Sequence, residues 1–290
     1  MKKVIVILLM GLGIVCASAK ADTKEFREHL TKEFAVTKDG SGGILFIYNI
    51  SGFIKVEGYD GNKVLLEMDK TISAENDQLL ETGKKEFKLG FDQRSDTVMA
   101  YIADPFDSRP HRNWQYNDTR RDRDIEYNYN VDFTVKVPFG MNLHISTVNE
   151  GIVTVNNVGG TLHVSNVNGE ISIKNAKATT YAHTINGDVT VTYLVNPADE
   201  SSYYTINGTI RVNFQPGLSA DLQFKSMNGE FFTDFMDATS LPPTVNKTLD
   251  KKSGGSVYKL NSSTSVRFGK GGKRFRFETL NGNIYIKKQS

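Results

Sequence analysis

The stretch Val167-Asn168-Gly169-Glu170-Ile171-Ser172-Ile173 carries a pattern that the chain repeats: apolar, Asn, Gly, any residue, apolar, any residue, apolar. Repetition of one unit decides an architecture before any single motif does. Four further copies run from Ile185 to Val191, Ile206 to Val212, Met227 to Thr233 (where Thr233 replaces the last apolar residue) and Leu280 to Ile286. Degenerate copies run from Ile50 to Val56, from Val158 to Val164 and, with one inserted residue, from Val148 to Val155.

The Asn-Gly pair predicts a tight corner between two short strands. Gly adopts positive φ freely and Asn does so at a lower cost than other residues, so we attribute the pair to a backbone that needs positive φ. Asn-Gly is also the leading two-residue hairpin turn. Two all-β architectures therefore compete: a β-solenoid whose corners stack coil upon coil, and an antiparallel β-meander or sandwich. The predicted corner residues are Gly52, Gly160, Asn168, Gly169, Asn186, Gly187, Asn207, Gly208, Asn228, Gly229, Asn281 and Gly282.

Two regularities favour the β-solenoid, a β-helix-like stack of short strands. The repeat glycines from Gly151 to Gly282 are spaced by 9, 9, 18, 21, 21 and 53 residues, so a coil of twenty or so residues recurs. The position two residues before the Asn is mostly hydroxylated, which suits a stacked column. Its members are Thr184, Thr205, Ser226 and Thr279.

We divide the chain into a signal peptide (1–19), an N-terminal β region (22–140) and a β-repeat region (141–290) with an insertion at 241–264. Unbroken alternation from Ile125 to Val137 predicts a half-buried strand in the N-terminal region. One short helix is predicted from about Ala74 to Thr82, with Ser73 as its N-cap and Gly83 ending it. The N-terminal region with this helix and the basic C-terminal region are the expected caps of the stack.

The first residues have the composition of a secretory signal peptide. Lys2 and Lys3 precede a short apolar run, and Ala17-Ser18-Ala19 is a small-residue cleavage site. Cleavage there removes Cys16, the one cysteine, so the mature chain would have no disulfide and no transmembrane segment. A lipid anchor on Cys16 is the rival interpretation. We expect an exported protein of the periplasm or of the cell surface and outer membrane.

The net charge of +2 is unevenly distributed. Residues 247–290 hold eleven Lys and Arg but only two acidic residues. This region is either a solvated face or a basic patch that meets anionic glycans or lipid headgroups. An exported chain is not expected to meet nucleic acid.

Catalytic, cofactor and metal sites are not predicted. The position after the repeat Gly reads Glu170, Asp188, Thr209, Glu230 and Asn283, without the persistent carboxylate pair that polysaccharide cleavage would use. The five histidines lack metal-ligand spacing. His163 and His183 lie in repeat strands and are interpreted as surface or core residues. We therefore expect no catalytic residues, no cofactor and no metal.

One charged loop, residues 104–126, interrupts the pattern. A solvated hairpin loop is the simpler interpretation. The alternative is a recognition loop, because aromatic rings beside guanidinium groups stack on sugars or bind anionic partners. Its candidate residues are Arg109, Arg112, Trp114, Tyr116, Arg120 and Arg121.

Three passages resemble one known family. They are the segment from Asn49 to Asn62, the passage from Val137-Pro138 through Ser146-Thr147-Val148-Asn149 to Val191, and the ending Arg267 to Gly272 with Thr279 to Ile284. They are similar to the bacterial "putative adhesin" family of β-strand repeat proteins, domain of unknown function 4097, in its Bacteroidetes-type members. The resemblance implies a β-helix-like stack outside the cytoplasm and supplies no catalytic residues. The Asn149-Glu150-Gly151 turn and the insertion from Leu241 to Thr264 depart from the family pattern.

The expected function is therefore that of an exported, non-enzymatic adhesin of a Gram-negative bacterium. Its partner would be an envelope glycan or another surface protein. A sensory or accessory envelope protein linked to a regulatory system is the alternative. A polysaccharide-active enzyme that uses Glu170 and Asp188 is the third class.

Overall fold

The computed structural model describes residues 23–37, 40–110, 124–149, 151–242, 245–250, 255–260 and 263–289. These residues are mostly β-strand, with one helix, α1 (Asp77–Glu86). The predicted signal peptide lies outside them. No described helix is long and apolar enough to cross a membrane.

Ten of the described strands form a sheet that we call sheet I. Their order across the sheet is β1 (Lys24–Ala35), β4 (Lys63–Ala74), β7 (Tyr127–Pro138), β3 (Ile54–Tyr59), β9 (Val153–Asn156), β11 (Ile171–Ala176), β13 (Val189–Tyr193), β15 (Ile210–Phe214), β23 (Ile284–Lys288) and β17 (Phe231–Thr233).

Eleven described strands form sheet II. Their order is β18 (Thr239–Leu241), β21 (Thr264–Phe268), β16 (Ala220–Asn228), β22 (Arg274–Asn281), β14 (Ser201–Tyr204), β12 (Thr180–His183), β10 (Leu162–Ser165), β8 (Asn142–Ser146), β2 (Ile44–Tyr48), β6 (Thr97–Asp104) and β5 (Lys88–Arg94). A separate hairpin pairs β19 (Val245–Asp250) with β20 (Gly255–Leu260).

The chain alternates between the two sheets, and a strand of sheet II followed by a strand of sheet I makes one rung. Corresponding strands of neighbouring rungs are parallel and in register, as in the pairing of Ile171 with Val189 and of Leu162 with Thr180. Antiparallel pairs lie only at the ends of the two large sheets and in the hairpin, within the described part of the chain. The antiparallel meander or sandwich is therefore excluded for the repeat region.

The shared core lies between the sheets. In the repeats the two apolar residues after the Gly point inwards, as Ile171 and Ile173 do, and both of these are fully buried. The copy that ends at Thr233 is the exception, since Phe231 and Thr233 are only partly buried. The long alternation predicted from Ile125 is also confirmed, since Val131, Phe133 and Val135 of β7 are buried. Burial of one such side chain contributes about 1.5–3 kcal/mol, and each rung repeats it.

The rungs do not stack in chain order. The sequence of rungs is β6–β7, β2–β3, β8–β9, β10–β11, β12–β13, β14–β15, β22–β23 and β16–β17. The last rung of the chain, β22–β23, thus lies between β14–β15 and β16–β17, which both precede it in sequence. The first, β2–β3, lies between β6–β7 and β8–β9, which both follow it. Both sheets run across residue 140, where the sequence suggested a division.

The helix lies close to its predicted position, but its limits differ. It begins after Asn76, whose side-chain oxygen accepts a hydrogen bond from Leu79 N at 2.9 Å. Ser73 belongs instead to β4. Gly83 lies inside the helix and is buried. A Cβ at this position would lie 2.8 Å from a side-chain atom of Ile72 and 2.9 Å from one of Tyr127. Gly83 therefore permits close packing and does not end the helix.

The explanation of the Asn-Gly corner by positive φ is wrong for most copies. None of the repeat Asn residues has positive φ, and among the repeat glycines only Gly52 and Gly282 do. Instead, a Cβ at Gly187 would overlap the carbonyl oxygen of Gly169, and a Cβ at Gly208 would overlap that of Gly187. The glycines are required because neighbouring rungs approach each other closely at this corner.

Two columns of hydrogen bonds run along the same corner. The hydroxyls at the position two before the Asn donate to a Gly carbonyl of the adjoining rung, as Thr205 does to Gly187 at 2.8 Å. Beside them, the Asn carboxamides form a ladder in which each Nδ2 donates to the next Oδ1. Its members in order are Asn228, Asn281, Asn207, Asn186, Asn168 and Asn149.

Candidate functional site

The predicted recognition loop is only partly described. Arg112, Trp114, Tyr116, Arg120 and Arg121 lie outside the described residues. Arg109 is described and is held by its neighbours.

The guanidinium of Arg109 is bound to the protein itself. It donates to Asp107 through Nε and Nη2 at 3.0 and 2.6 Å and lies 4.0 Å from the ring centroid of Tyr101. The hydrogen bond to Asp107 raises the pKa of Arg109. These contacts fix the start of the loop against the outer face of sheet II.

That outer face carries a band of side-chain rings, which we call the ring stripe. Its residues alternate along their strands with buried core residues and therefore point away from the core. The members are Phe46, Tyr48, Tyr101, His144, His163, Tyr181, His183 and Tyr204.

The rings follow one another at the spacing of the rungs. Phe46 and His144 are 5.4 Å apart between ring centroids, His144 and His163 are also 5.4 Å apart, and His163 and Tyr181 are 4.4 Å apart. The last two pairs are stacked. This spacing follows from the parallel register, since strands about 4.8 Å apart place equivalent side chains side by side.

A second row continues the stripe. His183 Nε2 and Ser202 Oγ are 2.8 Å apart, and the rings of His183 and Tyr204 lie 5.9 Å apart. At the far end, Ser202 is in register with Arg276, an exposed cation without an ion pair among the described residues. The stripe therefore begins beneath one arginine, Arg109, and ends beside another.

The three histidines of the stripe are neutral at neutral pH. Burial lowers the pKa of His144, His163 and His183, because it disfavours the charged imidazolium. The charge of His144 lowers the pKa of His163 further, and that of His163 does the same for His183. Near pH 7 the rings of the stripe thus carry no positive charge.

The strands of sheet I stack in the same way, but in the corresponding rungs their outward row carries no rings. Its outward row reads Lys55, Thr154, Ser172, Thr190 and Arg211. Rings enter that row only at its end, where Tyr285 stacks on Phe232 at 4.9 Å. Since sheet I forms its outer face from hydroxyl and charged side chains over these rungs, the fold does not require rings on the other sheet.

The carboxylates considered for catalysis do not form a free pair. Asp188 accepts from Arg211 Nη1 at 2.6 Å and from the backbone N–H of Thr209 at 2.8 Å, whereas Glu170 is exposed. No cluster of three or more metal-ligating side chains occurs in the part of the chain that the structure describes.

The sequence did contain a signal for the stripe. His144, His163 and Tyr181 follow one another after 19 and 18 residues, close to the period of the repeat glycines. Each occupies the outward position of its strand. The spacing of these rings matches the length of a rung and not that of a metal-ligand motif, so the search for metal ligands does not reveal it.

Comparison with known proteins gives only distant likenesses. No family model matches the chain, and no curated protein matches it either. Among solved structures, a "putative cell adhesion protein" from Clostridium sporogenes ATCC 15579 is 9% identical, with a TM-score of 0.39 over 90% of this chain and 100% of that one.

Two further solved structures have lower TM-scores. A "putative adhesin" from Bacteroides fragilis NCTC 9343 is 9% identical, with a TM-score of 0.30 over 90% of this chain and 97% of that one. A "putative lipid binding protein" from Parabacteroides distasonis ATCC 8503 is 12% identical, with a TM-score of 0.26 over the same shares. The chain is thus weakly similar in structure to bacterial proteins named as adhesins and cell adhesion proteins.

Proposed function

We propose that this chain is an exported, non-enzymatic β-solenoid that binds an envelope or extracellular polysaccharide through the ring stripe of sheet II. The absence of rings from the equivalent outward row of sheet I is the observation that carries the proposal. The rings of sheet II recur at regular spacing in positions that hydroxyl and charged side chains fill in sheet I.

The designation as a β-solenoid rests on three features. The strands alternate between two sheets, corresponding strands are parallel and in register, and equivalent corner residues bond to one another from rung to rung. Such a stack is built by repetition along one axis and presents long, flat faces. A flat face suits an extended polymer better than it suits a small compact ligand.

The chemistry of the stripe favours a sugar polymer. The C–H groups of a pyranose pack against the edges and uncovered faces of aromatic and imidazole rings, while its hydroxyls remain free to bond to neighbouring polar groups. Ser202 and the imidazole nitrogens of the stripe supply such groups. Arg276 at one end would favour a polymer that carries carboxylates or phosphates.

Export and adhesion rest on the sequence. The N-terminal signal pattern and the resemblance to the adhesin family favour a protein of the cell surface or periplasm. The sensory or accessory alternative would be favoured by a neighbouring sigma or anti-sigma gene. Polysaccharide cleavage is not part of the proposal, since Asp188 is already bound by Arg211.

The test is binding of the mature protein, from Lys20 onwards, to an array of immobilised neutral and acidic bacterial polysaccharides. The variant His163→Ala/Tyr181→Ala removes the stacked pair at 4.4 Å. We expect it to lose at least tenfold in affinity for the polysaccharide that the unaltered protein binds best. Tyr285→Ala removes a ring from sheet I and should bind normally.

Two results would overturn the proposal. Equal affinity of the double variant would show that the stripe does not hold the ligand. Failure of the unaltered protein to bind any polysaccharide, combined with capture of a surface protein, would favour a protein partner. A variant that lacks residues 111–123 tests the contribution of the loop separately. If this variant fails to bind although the stripe is intact, recognition belongs to the loop.

A further inference from the structure

A polar cleft lies on a different surface from the ring stripe, where sheet I extends beyond the Asn-Gly corner. It has a volume of about 680 Å³, within the range of roughly 300–1,000 Å³ typical of small-molecule sites. Its lining residues are Ser51, Thr71, Ser73, Asn128, Tyr129, Asn130, Asn149 and Asn168.

One wall of the cleft is made by strands that outrun the rungs. Pairing of β7 with the neighbouring rung ends at the hydrogen bond from Val131 N to Ser51 O, so residues 127–130 project past the corner. Residues 71–74 of β4 and 24–27 of β1 extend beside them. We call these twelve residues the flap; its four-residue overhang is about 13 Å long.

The helix covers the other face of the flap. Ile72 and Tyr127 are buried on that face, where Gly83 of α1 packs closely against both. Alternation along the strands therefore places Thr71, Ser73, Asn128 and Asn130 on the face that lines the cleft. Tyr129 belongs to the helix side, since its ring contacts Phe87 at a centroid distance of 4.7 Å.

The opposite wall is the end of the asparagine ladder. Every carboxamide of the ladder donates in the same direction, and the last bond runs from Asn168 Nδ2 to Asn149 Oδ1 at 3.3 Å. The Nδ2 group of Asn149 thus ends the series, with no side-chain partner among the described residues. The ladder leaves one amide donor directed to this end of the stack.

The polar groups of the cleft are neutral, and several of them are available, although the Asn130 amide donates to Asp132 at 3.0 Å. Within the described ranges, the hydroxyls of Thr71 and Ser73 and the carboxamide of Asn128 have no hydrogen-bond partner. No Lys, Arg, His, Asp or Glu lines the cleft, so neither an anion nor a metal ion would find a charged ligand there. Hydroxyls and carboxamides each offer both donors and acceptors.

We propose that this cleft binds a neutral saccharide unit, whose hydroxyls bond between the flap and the end of the asparagine ladder. A sugar fits because each of its hydroxyls both donates and accepts, as do the groups on the two walls. The site is independent of the ring stripe and would be present even if the stripe bound no polysaccharide.

The experiment is nuclear magnetic resonance of the ¹⁵N-labelled mature protein during titration with methyl glycosides of glucose, galactose and mannose. We expect at least one glycoside to cause saturable shifts in the side-chain amide signals of Asn128, Asn130 and Asn149. The variant Thr71→Val/Asn128→Ala should weaken that binding at least fivefold. Thr190→Val, an equivalent change on the outer face of sheet I, should leave it unchanged.

The controls separate this site from the stripe. His163→Ala/Tyr181→Ala should retain the shifts, because its altered residues lie outside the cleft. Equal binding by the cleft variant would overturn the proposal. So would the absence of saturable shifts with any of the three glycosides at tens of millimolar, or a response to glucuronate alone.

Discussion

The side-chain amide of Asn281 donates to the Oδ1 of Asn207 at 2.7 Å across 74 residues of sequence. Asn228, which precedes Asn281 in the chain, lies beyond it and donates to Asn281 at the same distance of 2.7 Å. The last repeat of the chain is therefore an internal rung, enclosed on both sides by earlier ones.

Removal of this internal rung should unfold the end of the stack. Deletion of residues 274–290 takes away β22 and β23, which pair with β14 and β15 on one side and with β16 and β17 on the other. Two buried surfaces would then lose their partner. We expect limited proteolysis to degrade the truncated protein from about residue 200 onwards.

Replacement of residues 243–262 by a short Gly-Ser linker is the matched control. The hairpin β19–β20 pairs only with itself among the described strands, so its loss should leave the protease-resistant core unchanged. A truncated protein as resistant as the control would contradict the inserted position of the last rung.

The close approach of neighbouring rungs predicts that two Gly→Ala variants differ widely in their free energy of unfolding. Gly187→Ala places a Cβ on the backbone carbonyl of Gly169, which cannot move without disturbing the rung. We expect a loss of about 3 kcal/mol or more in the free energy of unfolding. Urea titration followed by circular dichroism measures it.

Gly217→Ala serves as the comparison. Gly217 has φ of 79° and no atom within 4 Å of a Cβ, so its cost is confined to backbone strain of about 1–2 kcal/mol. Equal losses for both variants would show that backbone conformation, as the sequence first suggested, governs the corner.

Each asparagine of the ladder should contribute to the free energy of unfolding according to its position in the ladder. Asn186→Ala removes two ladder bonds, of 2.8 Å each, and should cost about 1–3 kcal/mol. Asn228→Ala removes one and should cost about half as much. Both residues are exposed, so the two losses of stability do not differ through burial of the side chain. Indistinguishable urea midpoints would mean that solvent replaces these bonds fully.

The corners and the core could be predicted from the sequence, but the order of the rungs could not. The apolar residues after each Gly and the hydroxyls before each Asn are read directly from the repeat. Thr184 and Thr205 lie in the expected column, where they donate to Gly carbonyls. Every rung, however, presents nearly the same edge to its neighbours. The local pattern therefore does not determine which repeat adjoins which.

The ring stripe and the cleft were missed for a related reason. Both are assembled from residues far apart in the chain, such as Thr71 and Asn149, which only the stacking brings together. The loop considered as an alternative recognition site contributes one described residue, Arg109, which is held by Asp107 and lies on Tyr101.

The histidines of the stripe should make the fold less stable as the pH falls below neutral. The pKa values of His144, His163 and His183 lie below the ordinary value of about 6.5 in the folded protein. The unfolded chain therefore binds protons first, and stability that is present above about pH 6.5 is lost as the pH falls through the folded pKa values.

The measurement is the thermal midpoint at about pH 7.5 and about pH 5.5, above the titration of most carboxylates. The variant His144→Gln/His163→Gln/His183→Gln keeps the other histidines and should show a smaller fall in midpoint than the unaltered protein. An equal fall in both proteins would place the pH dependence elsewhere in the chain.

The predicted signal peptide can be tested by the mass of the mature protein. Cleavage after Ala19 should produce a mature chain that begins at Lys20 and is released in the soluble envelope fraction. Cys16→Ser should then change neither the mass of the mature protein nor its fractionation. A mature chain that begins at Cys16 with an added lipid, found in the membrane fraction, would establish the lipid anchor instead.

The affinity of His163→Ala/Tyr181→Ala for the best-bound polysaccharide tests the central claim most directly, namely that the rings of sheet II serve binding and not folding. The account predicts at least a tenfold loss of affinity at an unchanged thermal midpoint, because sheet I forms the same rungs with Thr154, Ser172 and Thr190 in these positions. Unchanged affinity, or a loss that merely accompanies unfolding, would contradict it.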